Sequence, residues 1–69
     1  MRKGLKMALR VLGERKQAAR TLGVSYFTVG EWVRGRYQPK AEMKNKILAK
    51  VNEIEGVHFT ADELDYLGD

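Results

Sequence analysis

The sequence predicts an all-α fold, a compact bundle of four to five short helices in a single domain spanning residues 1–69. Two observations predict it. Apolar residues recur at three- and four-residue intervals along most of the chain, the spacing that gives a helix one buried face. Glycines at 13, 23, 35 and 56 fall where those patterns stop, as helix-ending glycines do. Length sets the scale, because a chain this short buries only about 60% of its extended surface. So small a core gains from cooperative packing or from a bound partner.

The first helix is expected over Arg2–Leu12, with Leu5, Ala8, Leu9 and Leu12 inward and Lys3, Lys6 and Arg10 on the wet side. Gly4 weakens its first turn for no reason visible in the sequence. Gly13 ends it, and Glu14 and Arg15 open the second helix, whose inward residues are Ala18, Ala19 and Leu22. Gly23 can take the left-handed conformation that stops this helix. Ser25 then caps the third, with Val24 and Val29 at the spacing of a hydrophobic staple. That third helix should run from Ser25 or Tyr26 to Arg34. With Val29 and Trp32 inward, Tyr26, Phe27, Gly30 and Glu31 are expected on its outer face and Thr28 at the border. Partial burial of Phe27 against the second or fourth helix is the alternative.

Residues 35–39 connect to the fourth helix, and Pro39 suits a helix start because it lacks the N–H that would go unsatisfied there. The fourth helix is expected over Lys40–Glu55, with Met43, Ile47, Val51 and Ile54 along one face and Leu48 adjoining. Lys44, Lys46 and Lys50 fall on its exposed side, and Gly56 closes it. Thr60 and Glu63 stand at capping-box spacing and Phe59 and Leu64 at staple spacing, which predicts a short helix from Ala61 to about Leu67.

Residues 15–34 therefore read as two short helices joined by a tight turn. That is the grammar of a helix-turn-helix, whose second helix enters the DNA major groove. Gln17-Ala18-Ala19, Leu22-Gly23-Val24-Ser25, Val29, Trp32, Arg34-Gly35 and Pro39 resemble the lambda-repressor-like, Xre/Cro-type helix-turn-helix family. The spacing from Leu12-Gly13 to Pro39 is most similar to the small phage regulators of the Cro and CII kind. The resemblance implies a sequence-specific, double-stranded-DNA-binding transcriptional regulator of phage or mobile-element type. It implies phosphate contacts from Arg15 and Lys16 on one side and from Arg34, Arg36 and Lys40 on the other. It places Ser25, Tyr26, Phe27, Thr28 and Glu31 at base-facing positions. The chain departs from the family there, because members commonly carry Gln, Arg or Ser where this one has Tyr, Phe and Glu. Glu31 could accept from a cytosine amino group, although its charge opposes phosphate. Gly30, lacking a side chain, would let the backbone approach the duplex.

Charge supports a nucleic-acid partner. The chain carries +4, but all 13 Lys and Arg lie in residues 1–50 with only Glu14, Glu31 and Glu42, a net of +10. Residues 51–69 hold six acids and no Lys or Arg, a net of −6. A basic body on such a motif is the electrostatic footprint of a DNA binder. The acidic segment 57–69 holds Val57, Phe59, Leu64, Tyr66 and Leu67, more apolar side chains than so small a monomer needs to expose. A homodimer through the fourth helix and this segment is expected, the alternative being that Phe59, Leu64 and Leu67 complete the monomer's core.

Other chemistry finds little support. There is no cysteine, so no disulfide or thiolate metal site, which fits a reducing cytoplasm. No apolar run is long enough to span a membrane, and no signal peptide is recognisable. His58 is the only histidine and has no partner to make it a catalytic base. No enzyme activity, cofactor, metal or small-molecule substrate is expected. Two other readings remain: a helix-turn-helix module that binds a partner protein through Tyr26 and Phe27, or the DNA-binding part of a larger recombinase or packaging protein.

Overall fold

A computed structural model describes residues 3–68. They form four α-helices, α1 (Leu5–Val11), α2 (Arg15–Leu22), α3 (Tyr26–Val33) and α4 (Ala41–Asn52), and a 3₁₀ turn at Asp62–Asp65, with no strand among the described residues. The all-α expectation holds. α1 touches each of the other four elements, and α2 and α3 pack on each other more extensively than any other pair. Leu5, Ala8 and Leu9 of α1 meet Ala18, Ala19, Leu22, Val29, Trp32, Ile47 and Val51 in one buried cluster. None of these helices is long and apolar enough to cross a membrane.

α1 starts later than its periodicity suggests, because Gly4 is extended and sits just outside it. Arg2, in the expected first turn, lies outside the described residues. The start is closed by the far end of the chain: the Leu5 N–H donates to the Tyr66 carbonyl at 2.7 Å and the Lys6 N–H to the Leu67 carbonyl at 2.9 Å. Two N–H groups that a helix leaves unsatisfied thus find backbone partners. This strap explains Gly4. A Cβ there would lie 2.7 Å from the Gly68 backbone, so glycine is required by space and not by φ. Leu12, expected inward, is only half-buried at the end of α1.

α2 opens with a capping box between Glu14 and Gln17, in which Gln17 Oε1 accepts the Glu14 N–H at 3.2 Å. It ends on Gly23, and Lys46 of α4 donates to the Leu22 carbonyl at 2.8 Å, placing a cation on the negative end of the helix. Ser25 caps α3 as expected, its Oγ accepting from the Thr28 N–H at 3.1 Å.

α4 is shorter than the expected Lys40–Glu55. Lys40 is its N-cap, so buried Pro39 lies one residue outside it and not at its first helical position. It ends at Asn52, whose side chain turns to the backbone of Phe59: Oδ1 accepts the Phe59 N–H at 2.8 Å and Nδ2 donates to the Phe59 carbonyl at 3.0 Å. Ile54 therefore falls in the following turn and is 37% exposed, not on the buried face. Lys44 and Lys50, expected in water, are half-buried, and Lys44 pairs with Asp65 at 2.9 Å.

The C-terminal segment folds back on the core. Phe59 and Leu64 are buried in the monomer's core, as the alternative to a dimer contact has it, whereas Leu67, the third residue of that alternative, is half-buried and outside the core cluster. Lys3 ties this segment to the N-terminus, donating to the His58 carbonyl at 2.6 Å and sitting 5.0 Å above the Phe59 ring. The expected helix over Ala61–Leu67 is only the 3₁₀ turn. Half of the expected capping box forms: Glu63 Oε1 accepts the Thr60 N–H at 2.8 Å, while the Thr60 hydroxyl donates to the same oxygen at 3.2 Å. The Thr60 N–H, with Lys3 nearby, holds the Glu63 carboxyl below its ordinary value of 4.5. Its contribution to stability is present above that value and is lost as pH falls through the lowered one.

Candidate nucleic-acid interface

α3 presents its first turn and hides its second. Tyr26 is 52% and Phe27 69% exposed, while Val29, Gly30, Glu31 and Trp32 are all buried. Four consecutive buried residues encircle a helix, so α3 has no outer face past Thr28. The Phe27 alternative, partial burial against α2 or α4, does not occur. Ser25 is exposed and Thr28 half-buried, their hydroxyls 2.8 Å apart. Four of the five expected base-facing residues thus cluster at the start of α3.

Glu31 is the exception, and so is Gly30. Glu31 is only 5% exposed, with carboxylate oxygens 3.6 Å from Arg34 and 3.8 Å from Arg36. The chain curls back over it: Gly35 takes φ 77° and the Arg36 N–H donates to the Glu31 carbonyl at 3.0 Å. Glu31 therefore faces the turn that follows α3 and not the solvent, contrary to the expected outer-face position. Gly30 faces the Arg15 side chain, whose Nη1 would lie 3.8 Å from a Cβ at that position. It is not on an outer face and opens no path for a duplex to the backbone.

The five expected phosphate contacts divide into three groups. Arg34 and Arg36 stand together over Glu31, their side chains 57% and 69% exposed. Arg15 and Lys16 lie at the start of α2, on a cleft that Tyr26 also lines. Lys40 is exposed and is the N-cap of α4. Arg15, Lys16 and Lys40 have no acidic partner among the described residues.

Two cations without an expected role join the Arg15 pair. Lys6 and Arg10 of α1 line the same cleft. Their spacing, four residues apart on one helix face, was the available signal. Only the docking of α1 beside α2 makes it meaningful. Comparison with known proteins finds no matching family model, no matching curated protein and no matching solved structure.

Proposed function

We propose that this chain is a sequence-specific, double-stranded-DNA-binding transcriptional regulator of the helix-turn-helix kind, with the first turn of α3 entering the major groove. The observation that carries it is the arrangement around that turn. Tyr26 and Phe27 project from that turn, Arg15 and Lys16 line the cleft that Tyr26 also lines, and Arg34 with Arg36 stand at the other end of α3 over Glu31, while Val29–Trp32 between the two ends are buried. Proteins of this type read bases with the N-terminal residues of the recognition helix and hold phosphates on both sides. Ser25 and Thr28 supply hydroxyls to base edges, and the aromatic side chains supply apolar contact with a thymine methyl. A Cro- or repressor-like regulator from a phage or mobile element, working in a bacterial cytoplasm, fits this reading.

A recognition helix with one projecting turn reads few base pairs, so pairing of subunits would be needed for a specific site. We place that pairing on α4 and the C-terminal segment. With Phe59 and Leu64 in the core, Ile54 in the turn after α4 and Tyr66 in the C-terminal segment are the large exposed apolar side chains that would make it.

Measurement of duplex binding across a range of salt concentrations tests the proposal. Arg34→Ala and Arg36→Ala should each weaken binding to all sequences about equally and lower the salt slope by about 1. Unchanged affinity and slope in both variants would remove this docking mode. The exposure of Phe27 also favours a second reading, a protein-binding module anchored on Tyr26 and Phe27. Partner binding that persists at high salt, with no duplex bound at low salt, would select it.

A further inference from the structure

A cleft of about 490 Å³ opens between α1, the start of α2 and α3. Leu9, Ala18 and Val33 line its base, and Tyr26 forms one wall. Its rim carries four cations, Lys6 and Arg10 from α1 and Arg15 and Lys16 from α2. None of the four has an acidic partner among the described residues. The one acid in the lining, Glu14, is engaged in the capping box that opens α2.

Such a cleft is incomplete in two ways. Its low-dielectric walls focus the field of four unneutralised charges, and half-buried Val33 with exposed Tyr26 leaves hydrocarbon against water above a base already closed by Leu9 and Ala18. Inorganic phosphate would answer only the first, and a neutral hydrocarbon only the second. A flat apolar body bearing one negative group answers both. Tyr26 offers a ring for offset or edge-on packing, and the planar guanidinium of Arg15 can both stack and pair with an anion. The volume falls in the range of about 300–1,000 Å³ found for small-ligand sites.

We infer that this cleft binds a small aromatic anion, an aryl carboxylate or its like, and that this ligand and duplex DNA exclude one another. The exclusion follows because both would use Arg15, Lys16 and Tyr26, and that part rests on the DNA-binding reading. It would make the protein a regulator released from DNA by an effector.

The binding half is tested by NMR titration of the whole chain with 2-naphthoate, followed at the methyl groups of Leu9 and Val33. Saturable shifts are expected at the millimolar or lower concentrations that so small a ligand allows. Two controls split the chemistry. 2-Naphthamide has the rings without the charge and inorganic phosphate the charge without the rings, and each should bind at least about tenfold more weakly. The double variant Lys6→Gln with Arg10→Gln should keep its helical signal and lose about tenfold in naphthoate affinity. Absence of saturable methyl shifts, equal binding of phosphate, or full affinity in the double variant overturns the site.

The second half is read by repeating duplex binding with saturating 2-naphthoate against an equal concentration of sodium acetate. The duplex affinity should fall at least about fivefold. Saturated methyl shifts with unchanged duplex affinity would keep the site and overturn the exclusion. Failure to bind any duplex would instead remove the DNA-binding reading, and the titration would still decide whether the cleft binds its anion.

Discussion

At the end of α2 the Val24 N–H reaches back to the Ala19 carbonyl, the Gly23 N–H to Arg20, and Gly23 takes φ 73°. At the end of α3 the Arg36 N–H reaches back to the Glu31 carbonyl, the Gly35 N–H to Trp32, and Gly35 takes φ 77°. The backbone motif is the same, a six-to-one bond enclosing a five-to-two bond around a left-handed glycine. The residues that close it differ. Ala19 and Val24 close the first as the apolar pair usual in this motif, and both join the core. Glu31 and Arg36 close the second as an ion pair. Glycine thus sets how each helix stops, while the side chains at the two ends of the six-to-one bond decide what the stop is for. The apolar pair draws the chain inward toward α3. The ionic pair keeps a carboxylate below and turns two guanidinium groups to water.

The largest effect that would separate the two ends comes from exchanging their chemistry. Val24→Asp places a carboxylate against the core and should cost about 2 kcal/mol or more. The mirror change, Arg36→Val, leaves the buried Glu31 carboxylate with Arg34 as its remaining partner and should cost about 1 kcal/mol, less than Val24→Asp. Chemical denaturation measures both. Equal losses in the two variants would mean that the α3 end is as much a part of the core as the α2 end.

The two glycines give the next contrast. Alanine at either position must occupy left-handed space, at a cost of about 1–2 kcal/mol. At Gly23 the new Cβ would meet only Lys46 Nζ at 3.6 Å, the end of a flexible side chain. At Gly35 it would meet Leu67 Cδ2 at 3.1 Å, tighter than ordinary contact. Gly35→Ala should therefore cost more than Gly23→Ala, and the difference should vanish in a Leu67→Ala background. A difference that survives Leu67→Ala would have to come from the backbone itself.

These two ends also show what a sequence can reveal. Gly23, the Ser25 cap and the Val24 and Val29 pair are local signals a few residues apart, so α2, its turn and the start of α3 were legible. The exposed position of Tyr26 and Phe27 followed from the same local register. Glu31 was misread because helical spacing reports which residues share a face, not what covers that face. Its cover is Arg36, brought back by a turn that lies after the helix. The C-terminal strap was illegible for a stronger form of the same reason. Asn52 grips Phe59, and Leu5 and Lys6 meet Tyr66 and Leu67 some sixty residues away, contacts with no periodicity to announce them. Gly4 looked like a flaw in α1 because the chain it makes room for, Gly68, is at the opposite terminus.

A smaller effect tests the packing between α2 and α3. Alanine at Gly30 would put a Cβ at ordinary contact distance, 3.8 Å, from Arg15 Nη1. Gly30→Ala should therefore stabilise the protein by about 0.5–1 kcal/mol through helix propensity alone. With Gly30 turned away from any duplex, DNA affinity should stay unchanged. A loss of affinity with a gain in stability would show that the freedom of Arg15, not the fold, is what glycine preserves there.

The smallest expected change in stability is at Glu31, and it separates two views of the ionic end. Its partners are more than half exposed, so water and salt screen both pairs. Glu31→Gln keeps the shape and should cost only a few tenths of a kcal/mol. Its effect on DNA binding has two parts of opposite sign. Arg34 and Arg36 lose the carboxylate that orders them, which costs about 0.5–1.5 kcal/mol per side chain to restore on binding. The duplex no longer faces a negative charge beside its phosphates, a repulsion of about 1–4 kcal/mol at contact distances near a protein surface. Over two side chains the first comes to about 1–3 kcal/mol, a range that overlaps the second, so nonspecific affinity should change little at low salt. Because Glu31 lies under the turn and not on the outer face, sequence preference should not change at any position. Binding selections run in parallel on the parent and Glu31→Gln proteins would detect it, and a preference altered at one base pair would return Glu31 to the groove.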